Sequence, residues 1–198
     1  MKVIEKIMEI AKNNNGIITA DMVTEEGISR GNLKYMTERH FLEKSARGVY
    51  VLPEVWEDEF FNLQARFKKG VYANETALFL HDLADRTPNK FVMMFPRTYN
   101  LSNVKKEGAI IPILTKKEYY ELGISTSTSP AGNTVNTYNM ERTLCEVVRP
   151  YNSIDIQLIS EAFKRYAEKK SRNIPLLSEY AKILKVENKI RSYLEVLL

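Results

Sequence analysis

A helical pattern leads directly into a β-hairpin pattern over residues 29–53, and this junction constrains the fold more than any other feature. Leu33 and Met36 have the spacing of one buried helix face, and Ser29 is the expected cap of that helix. The residues that follow, EKSARGVYVLP, predict two strands around the turn SARG, with Gly48 supplying a positive φ. The hairpin either completes a small core or forms a wing that lies against nucleic acid.

Two further helical patterns and a very short strand precede this junction. The first helix ends at the run NNNG, the strand IIT follows, and Thr19 caps a second helix that Gly27 ends. Three short helices, one strand and a hairpin are typical of a winged helix-turn-helix domain, whose third helix enters the DNA major groove. The sequence therefore predicts a DNA-binding domain over residues 1–55.

Basic residues are concentrated in this junction, although the net charge of the chain is only +4. Residues 29–50 hold five basic residues and two glutamates. Base reading is assigned to the outer face of the third helix, and phosphate contact to Lys44 and Arg47 at the hairpin turn. The full set of predicted DNA contacts is Ser29, Arg30, Asn32, Lys34, Tyr35, Arg39, Lys44 and Arg47.

A second basic run, KRYAEKKSR, occurs late in the chain and holds five basic residues and one glutamate. Such a run is most often a solvated helix face. The alternative is a second surface for a polyanion or a partner, such as flanking DNA or RNA. The residues in question are Lys164, Arg165, Lys169, Lys170 and Arg172.

Residues 56–198 predict a separate α+β domain with a small sheet and a helical C-terminal part. A linking helix is expected first, with Trp56 and Phe60 on one side. The runs KFVMMF, AIIPIL and NTVNTYN have strand character, and from Met140 onward the pattern is mainly helical. The fold class predicted for the whole chain is therefore α+β.

Few side chains suggest catalysis or metal binding. The two histidines, His40 and His81, are expected to have packing or structural roles, and the single cysteine, Cys145, to be a small buried hydrophobic residue. Arg142 predicts a buried or semi-buried ion pair that holds two halves of the domain together, with contact to a partner as the alternative. We find no phosphate-binding glycine loop, nucleophile elbow or metal-ligand spacing. We therefore expect no enzymatic activity, no cofactor and no metal.

The cellular location is expected to be the cytoplasm. A single cysteine excludes an internal disulfide framework and is compatible with a reducing compartment. The first residues alternate charged and apolar types at helical spacing, unlike a signal peptide. No apolar run approaches the ~20 residues that span a bilayer, so no membrane partner is expected.

Three segments together resemble the AbiEi family of antitoxins, from abortive-infection toxin–antitoxin systems. They are residues 16–53, the Ala-Leu…His helix within 71–88, and the Arg-Thr-Leu helix start within 139–149. The resemblance implies a winged helix that binds inverted repeats at the promoter of its own operon and represses it, with two copies on the DNA. It also implies a second domain that counteracts a nucleotidyltransferase-like toxin, as a type IV antitoxin that requires no stable toxin complex.

Two other functions remain open from the residues alone. The first is a winged-helix transcription factor whose C-terminal domain senses a small ligand. The second is an uncharacterised enzyme or RNA-binding module in the C-terminal domain, which the missing motifs disfavour.

Overall fold

The computed structural model describes residues 3–197 and has the α+β architecture that the sequence predicts. The chain forms two compact units: Met1–Lys68 with Thr128–Val135, and Lys69–Ser127 with Asn136–Leu198. Met1, Lys2 and Leu198, at the ends of the two predicted domains, lie outside the described residues.

The first unit contains three helices, a small sheet and a fourth helix. In chain order these are α1 (Val3–Asn13), β1 (Ile17–Thr19), α2 (Ala20–Glu25), α3 (Gly31–Glu38), β2 (Glu43–Ala46), β3 (Val49–Val51) and α4 (Glu59–Arg66). The strands are antiparallel in the order β1-β3-β2. Thr19 caps α2 as predicted, because its hydroxyl accepts a hydrogen bond from the Met22 N–H at 3.2 Å. Ile7, Leu33 and Met36 are fully buried between the helices.

The first unit extends beyond the predicted boundary after residue 55. Helix α4 belongs to it because Phe61 and Ala65 pack against the apolar cluster formed by the sheet residues Ile17, Val49 and Val51. The expected linking helix begins at Glu59 rather than before Trp56, so Trp56 lies outside the helix and is 90% exposed.

The second unit combines a sheet with a helical C-terminal part. Its elements are β4 (Val71–Tyr72), α5 (Asn74–Leu80), β5 (Phe91–Pro96), α6 (Ser102–Glu107), β6 (Ile110–Thr115), α7 (Lys117–Glu121), β7 (Ile124–Thr128), β8 (Thr134–Tyr138), α8 (Met140–Val147), α9 (Ile156–Glu168), α10 (Ile174–Leu184) and α11 (Glu187–Leu197). The last residue of β7 and the first two of β8 are counted with the first unit. The strand order is β6-β5-β4-β8-β7. Strand β5 pairs in parallel with β6, and β4 pairs antiparallel with β5 and in parallel with β8.

Helices α8 to α11 surround one apolar core that includes Cys145, Phe163 and Leu177. Cys145 is fully buried, as expected. Burial raises the pKa of its thiol to about 12, against the smaller opposing effect of the Arg142 charge. No helix among residues 3–197 is both long and apolar enough to cross a membrane.

The two histidines differ in their surroundings. His81 ends α5, and its Nε2 lies 2.6 Å from the Tyr138 carbonyl oxygen, which agrees with the structural role expected. Burial lowers the pKa of His81, although this contact opposes the shift. The prediction for His40 is wrong, because the residue has φ +58° just after α3 and its side chain is exposed.

Candidate nucleic-acid interface

The outer face of α3 carries the charged and aromatic side chains that the sequence places there. Leu33 and Met36 turn inward and are buried, whereas Lys34 and Tyr35 are exposed. The Arg39 guanidinium, just past the helix, lies 5.5 Å from the centre of the Tyr35 ring. This stacking presents a cation and a phenolic hydroxyl side by side. Lys34 is 3.8 Å from Glu38, an exposed pair that is easily broken.

The start of α3 differs from the prediction. Ser29 is not the N-cap: that position is Arg30, which has helical backbone angles and no side-chain capping bond. The Ser29 hydroxyl instead accepts a bond from the Gly31 N–H at 3.3 Å. The Ser29 carbonyl accepts bonds from the Asn32 N–H at 3.1 Å and from the Asn32 side-chain amide at 2.9 Å. Asn32 is half-buried, and these two bonds stabilise the start of the helix.

Arg30 is held against α2 by side-chain bonds. Its Nε donates to the Thr24 hydroxyl at 2.8 Å, and its Nη2 lies 3.1 Å from an Asp21 carboxylate oxygen. Lys68 pairs with the other oxygen of Asp21. The hydrogen bond from Lys68 is the main cause that lowers the pKa of Asp21, with the charge of Arg30 adding to it. Asp21 thus neutralises a cation that was assigned to DNA, and Lys68 is a basic neighbour that sequence reasoning missed.

The hairpin has a two-residue turn, Arg47–Gly48, instead of the predicted four-residue turn. Gly48 adopts φ +77°, as the turn requires, and Arg47 is exposed beside it. Lys44 is not at the turn, because strand β2 continues to Ala46 and pairs Lys44 with Tyr50. Of the two basic residues predicted at the turn, Arg47 is there, whereas Lys44 lies within strand β2.

An irregularity in β2 fixes the shape of the hairpin. The register between β2 and β3 shifts between Lys44 and Ala46, which leaves Ser45 as the extra residue of a bulge. The Ser45 hydroxyl donates to the Glu57 carboxylate at 3.0 Å and accepts from the Asn62 amide at 2.6 Å. Sequence reasoning missed this group, because its members are separated by 12 and 17 positions and form no local motif.

Ion pairs occupy much of the second basic run. Arg165 pairs with Asp85 and with Glu161, which lies 2.6 Å away. Two more of its members have other contacts: Lys169 is 3.9 Å from Asp82, and Arg172 donates to the Ala167 carbonyl at 2.8 Å. Lys164 and Lys170 are the exposed cations for which no such contact is found in the described part of the chain. The arrangement favours a solvated, ion-paired helix face over a second polyanion surface.

Arg142 forms a buried ion pair, as the sequence predicts, but its partner Glu146 lies one turn further along α8, so the ion pair itself does not join two halves of the domain. The Arg142 side chain is inaccessible to solvent, and its Nη1 lies 2.5 Å from Oε2 of Glu146. Arg149 approaches the same oxygen at 3.3 Å, and the Tyr151 hydroxyl donates to Oε1 at 2.9 Å. Burial alone would raise the pKa of Glu146, but the charges of the two arginines outweigh it and lower that pKa. The contacts are structural, and they join the end of α8 to the residues that follow it.

No family model matches this chain, and none of the curated proteins compared with it matches either. The resemblance of its three segments to the AbiEi antitoxins therefore stays a prediction.

Proposed function

We propose that the chain is a transcriptional autorepressor and antitoxin that binds double-stranded DNA through a winged helix in its first unit. The element order α1-β1-α2-α3-β2-β3 and the strand order β1-β3-β2 support this assignment. The observation that carries it is the exposed face of α3, with Lys34, Tyr35 and Arg39, followed after a short link by a hairpin with Arg47 at its turn.

The contacts divide into two kinds under this proposal. Lys34, Tyr35 and Arg39 lie in the major groove or on its rim, and Asn32 reads one base pair. Arg47, with Lys44 along the strand, contacts phosphates and fixes the register without reading sequence. Arg30 joins the interface when DNA competes with Asp21 for its guanidinium. Two copies occupy the halves of an inverted repeat at the promoter of the chain's own operon.

The antitoxin role belongs to the second unit and depends on the family resemblance. The proposed target is a nucleotidyltransferase-like toxin encoded beside this chain, counteracted in the cytoplasm without a stable complex. The buried Arg142–Glu146 pair lies in the Arg-Thr-Leu segment of that resemblance, and it supports a structural role for the motif.

Salt-dependent DNA binding tests the repressor role. The full chain is titrated against a duplex carrying the repeat upstream of its gene, by fluorescence anisotropy at several salt concentrations. Arg47→Ala should weaken all DNA alike and reduce the salt slope by ~0.9 for one lost phosphate contact. Asn32→Ala should instead relax the preference at one base pair, by ~1–3 kcal/mol for a bidentate contact. Lys12→Ala, which removes an exposed charge from α1, is the matched control.

Unchanged affinity and unchanged salt slope in Arg47→Ala would exclude the wing as a DNA contact.

The antitoxin role is tested separately, by expressing the full chain from an unrelated promoter together with the product of the neighbouring gene. Restored growth is expected, also for a variant that no longer binds DNA. If the full chain does not restore growth, the antitoxin role is excluded, while the repressor role is unaffected.

A winged-helix transcription factor with a ligand-sensing second unit is the second candidate. An open cavity of about 430 Å³ in that unit, lined in part by Arg149 and Lys189, favours it. This candidate predicts a ligand-dependent change in operator affinity and no effect on a neighbouring toxin.

A further inference from the structure

The open cavity in the second unit has the size and walls of a small-molecule site. Its volume of about 430 Å³ lies within the range of ligand pockets in proteins. Helices α8, α9 and α11 and the loop after α8 all contribute to its wall. The apolar part of the wall includes the branched side chains of Val147, Val148, Ile154 and Ile159.

Two cations line the same cavity. The Lys189 Nζ donates one bond to the Val148 carbonyl at 2.8 Å, which leaves two of its three N–H groups for a ligand. The Arg149 guanidinium lies near two rings, 5.4 Å from the centre of Tyr119 and 4.6 Å from that of Tyr151. Both rings contribute cation–π contacts that help to hold it in place. None of the described residues that line the cavity is acidic.

Asn152, a polar residue of the cavity wall, is hydrogen-bonded to Asn74, which has a positive φ and an unsatisfied side-chain oxygen. The Asn152 side chain also donates to the Glu146 carbonyl at 2.7 Å. Its Oδ1 accepts a bond at 3.4 Å from Asn74, which is buried and adopts φ +48°. The Asn74 Oδ1 is itself buried without a hydrogen-bond partner. Positive φ in a non-glycine residue and an unsatisfied buried amide both cost stability, and both concentrate at functional sites.

We infer that this cavity binds a small organic anion, a carboxylate or sulfonate on a compact aromatic or branched aliphatic body. The apolar wall suits the body, and the Lys189 ammonium and Arg149 guanidinium suit the anionic group. Glu146 is shared between Arg142 and Arg149, so it offsets only part of the Arg149 charge, and the cavity keeps a net positive charge toward a ligand. The inference does not depend on DNA binding.

A pair of dyes that differ in one charged group tests the inference with the full chain. Anilinonaphthalene sulfonate carries the anion, and phenylnaphthylamine is its neutral counterpart; both fluoresce on entering an apolar site. Lys189→Gln should weaken the sulfonate dye about five- to tenfold and leave the neutral dye unchanged, because only the charge-assisted bonds are lost. Lys164→Gln removes an exposed charge elsewhere in the same unit and should change neither dye.

A second variant adds a charge instead of removing one. Ile156 lines the cavity and is 64% exposed, so Ile156→Glu should leave the fold intact and repel the sulfonate dye more than the neutral one. The inference is overturned if both dyes respond alike to these variants, if Lys164→Gln matches Lys189→Gln, or if the sulfonate dye does not saturate one site. Retained thermal stability in each variant is checked by circular dichroism.

Discussion

The hydroxyl of Ser129 donates a hydrogen bond of 2.5 Å to the carboxylate of Asp58, across 71 positions of the chain and within the first unit. The same oxygen accepts a bond from the Asn133 amide at 2.7 Å. The other carboxylate oxygen caps α4 by accepting from the Phe61 N–H at 3.1 Å. Asp58 is only 3% exposed, so three donors together replace the water that it loses on folding.

Asp58→Ala should therefore lower the free energy of unfolding of the full chain by about 2–3 kcal/mol, from the lost cap and two unpaired buried donors. Urea denaturation followed by circular dichroism measures this. The control is Glu54→Ala, which removes an exposed carboxylate nearby and should change stability by less than about 0.5 kcal/mol. Equal effects of the two variants would show that the Asp58 bonds contribute little.

Asp21→Asn should increase DNA affinity if the proposed winged helix is correct. The Asp21 carboxylate pairs with both Arg30 and Lys68, so its neutralisation releases two cations and removes one negative charge. We expect affinity to rise about threefold at low salt and the gain to shrink as salt increases. Stability should fall by less than about 1 kcal/mol, since the pairs are exposed. Glu25→Gln, an exposed position in α2, is the control, and an equal gain there would contradict a specific role for Asp21.

Glu146→Gln should destabilise the second unit by about 3 kcal/mol at neutral pH, because Arg142 would lose its buried counter-ion. The pKa of Glu146 is lowered below its ordinary value of 4.5, so the carboxylate stabilises the fold above that value. This stabilisation is lost as the pH falls through the lowered pKa. Unfolding measured from neutral pH into the acid range should show a smaller loss for Glu146→Gln than for the unaltered chain. Exposed Glu179→Gln should retain the full pH dependence.

Local patterns predicted several residues whose roles depend on near neighbours in sequence, although the cap assigned to Ser29 was wrong. Leu33 and Met36 are buried as helical spacing requires, and Thr19 caps α2. A buried ion pair of Arg142 was predicted, but its partner Glu146 was not. The mixed fold class followed from the alternation of strand and helix patterns. The short strand β4 was missed, because its two residues carry no periodicity of their own.

Contacts between distant segments account for what the sequence could not predict. The DNA role assigned to Arg30 took no account of Asp21, which a helical wheel of α3 alone does not include. The extent of β2 depends on the bulge at Ser45, and that bulge is held by Asn62 from α4. The predicted domain boundary after residue 55 left α4 out of the first unit, because the packing of α4 against the sheet is a tertiary contact that the sequence does not reveal.

Gly123→Ala should be far more costly than Gly108→Ala, although the two glycines have nearly equal φ values of +74° and +72°. A Cβ at Gly108 would meet nothing within 4 Å, so only the backbone strain of about 1 kcal/mol is expected there. A Cβ at Gly123 would lie 2.7 Å from the Cβ of Arg142, and that side chain is fully buried and held by Glu146. Overpacking should then raise the cost to about 3 kcal/mol. Chemical denaturation of both variants measures the difference, and equal costs would show that Arg142 is free to move.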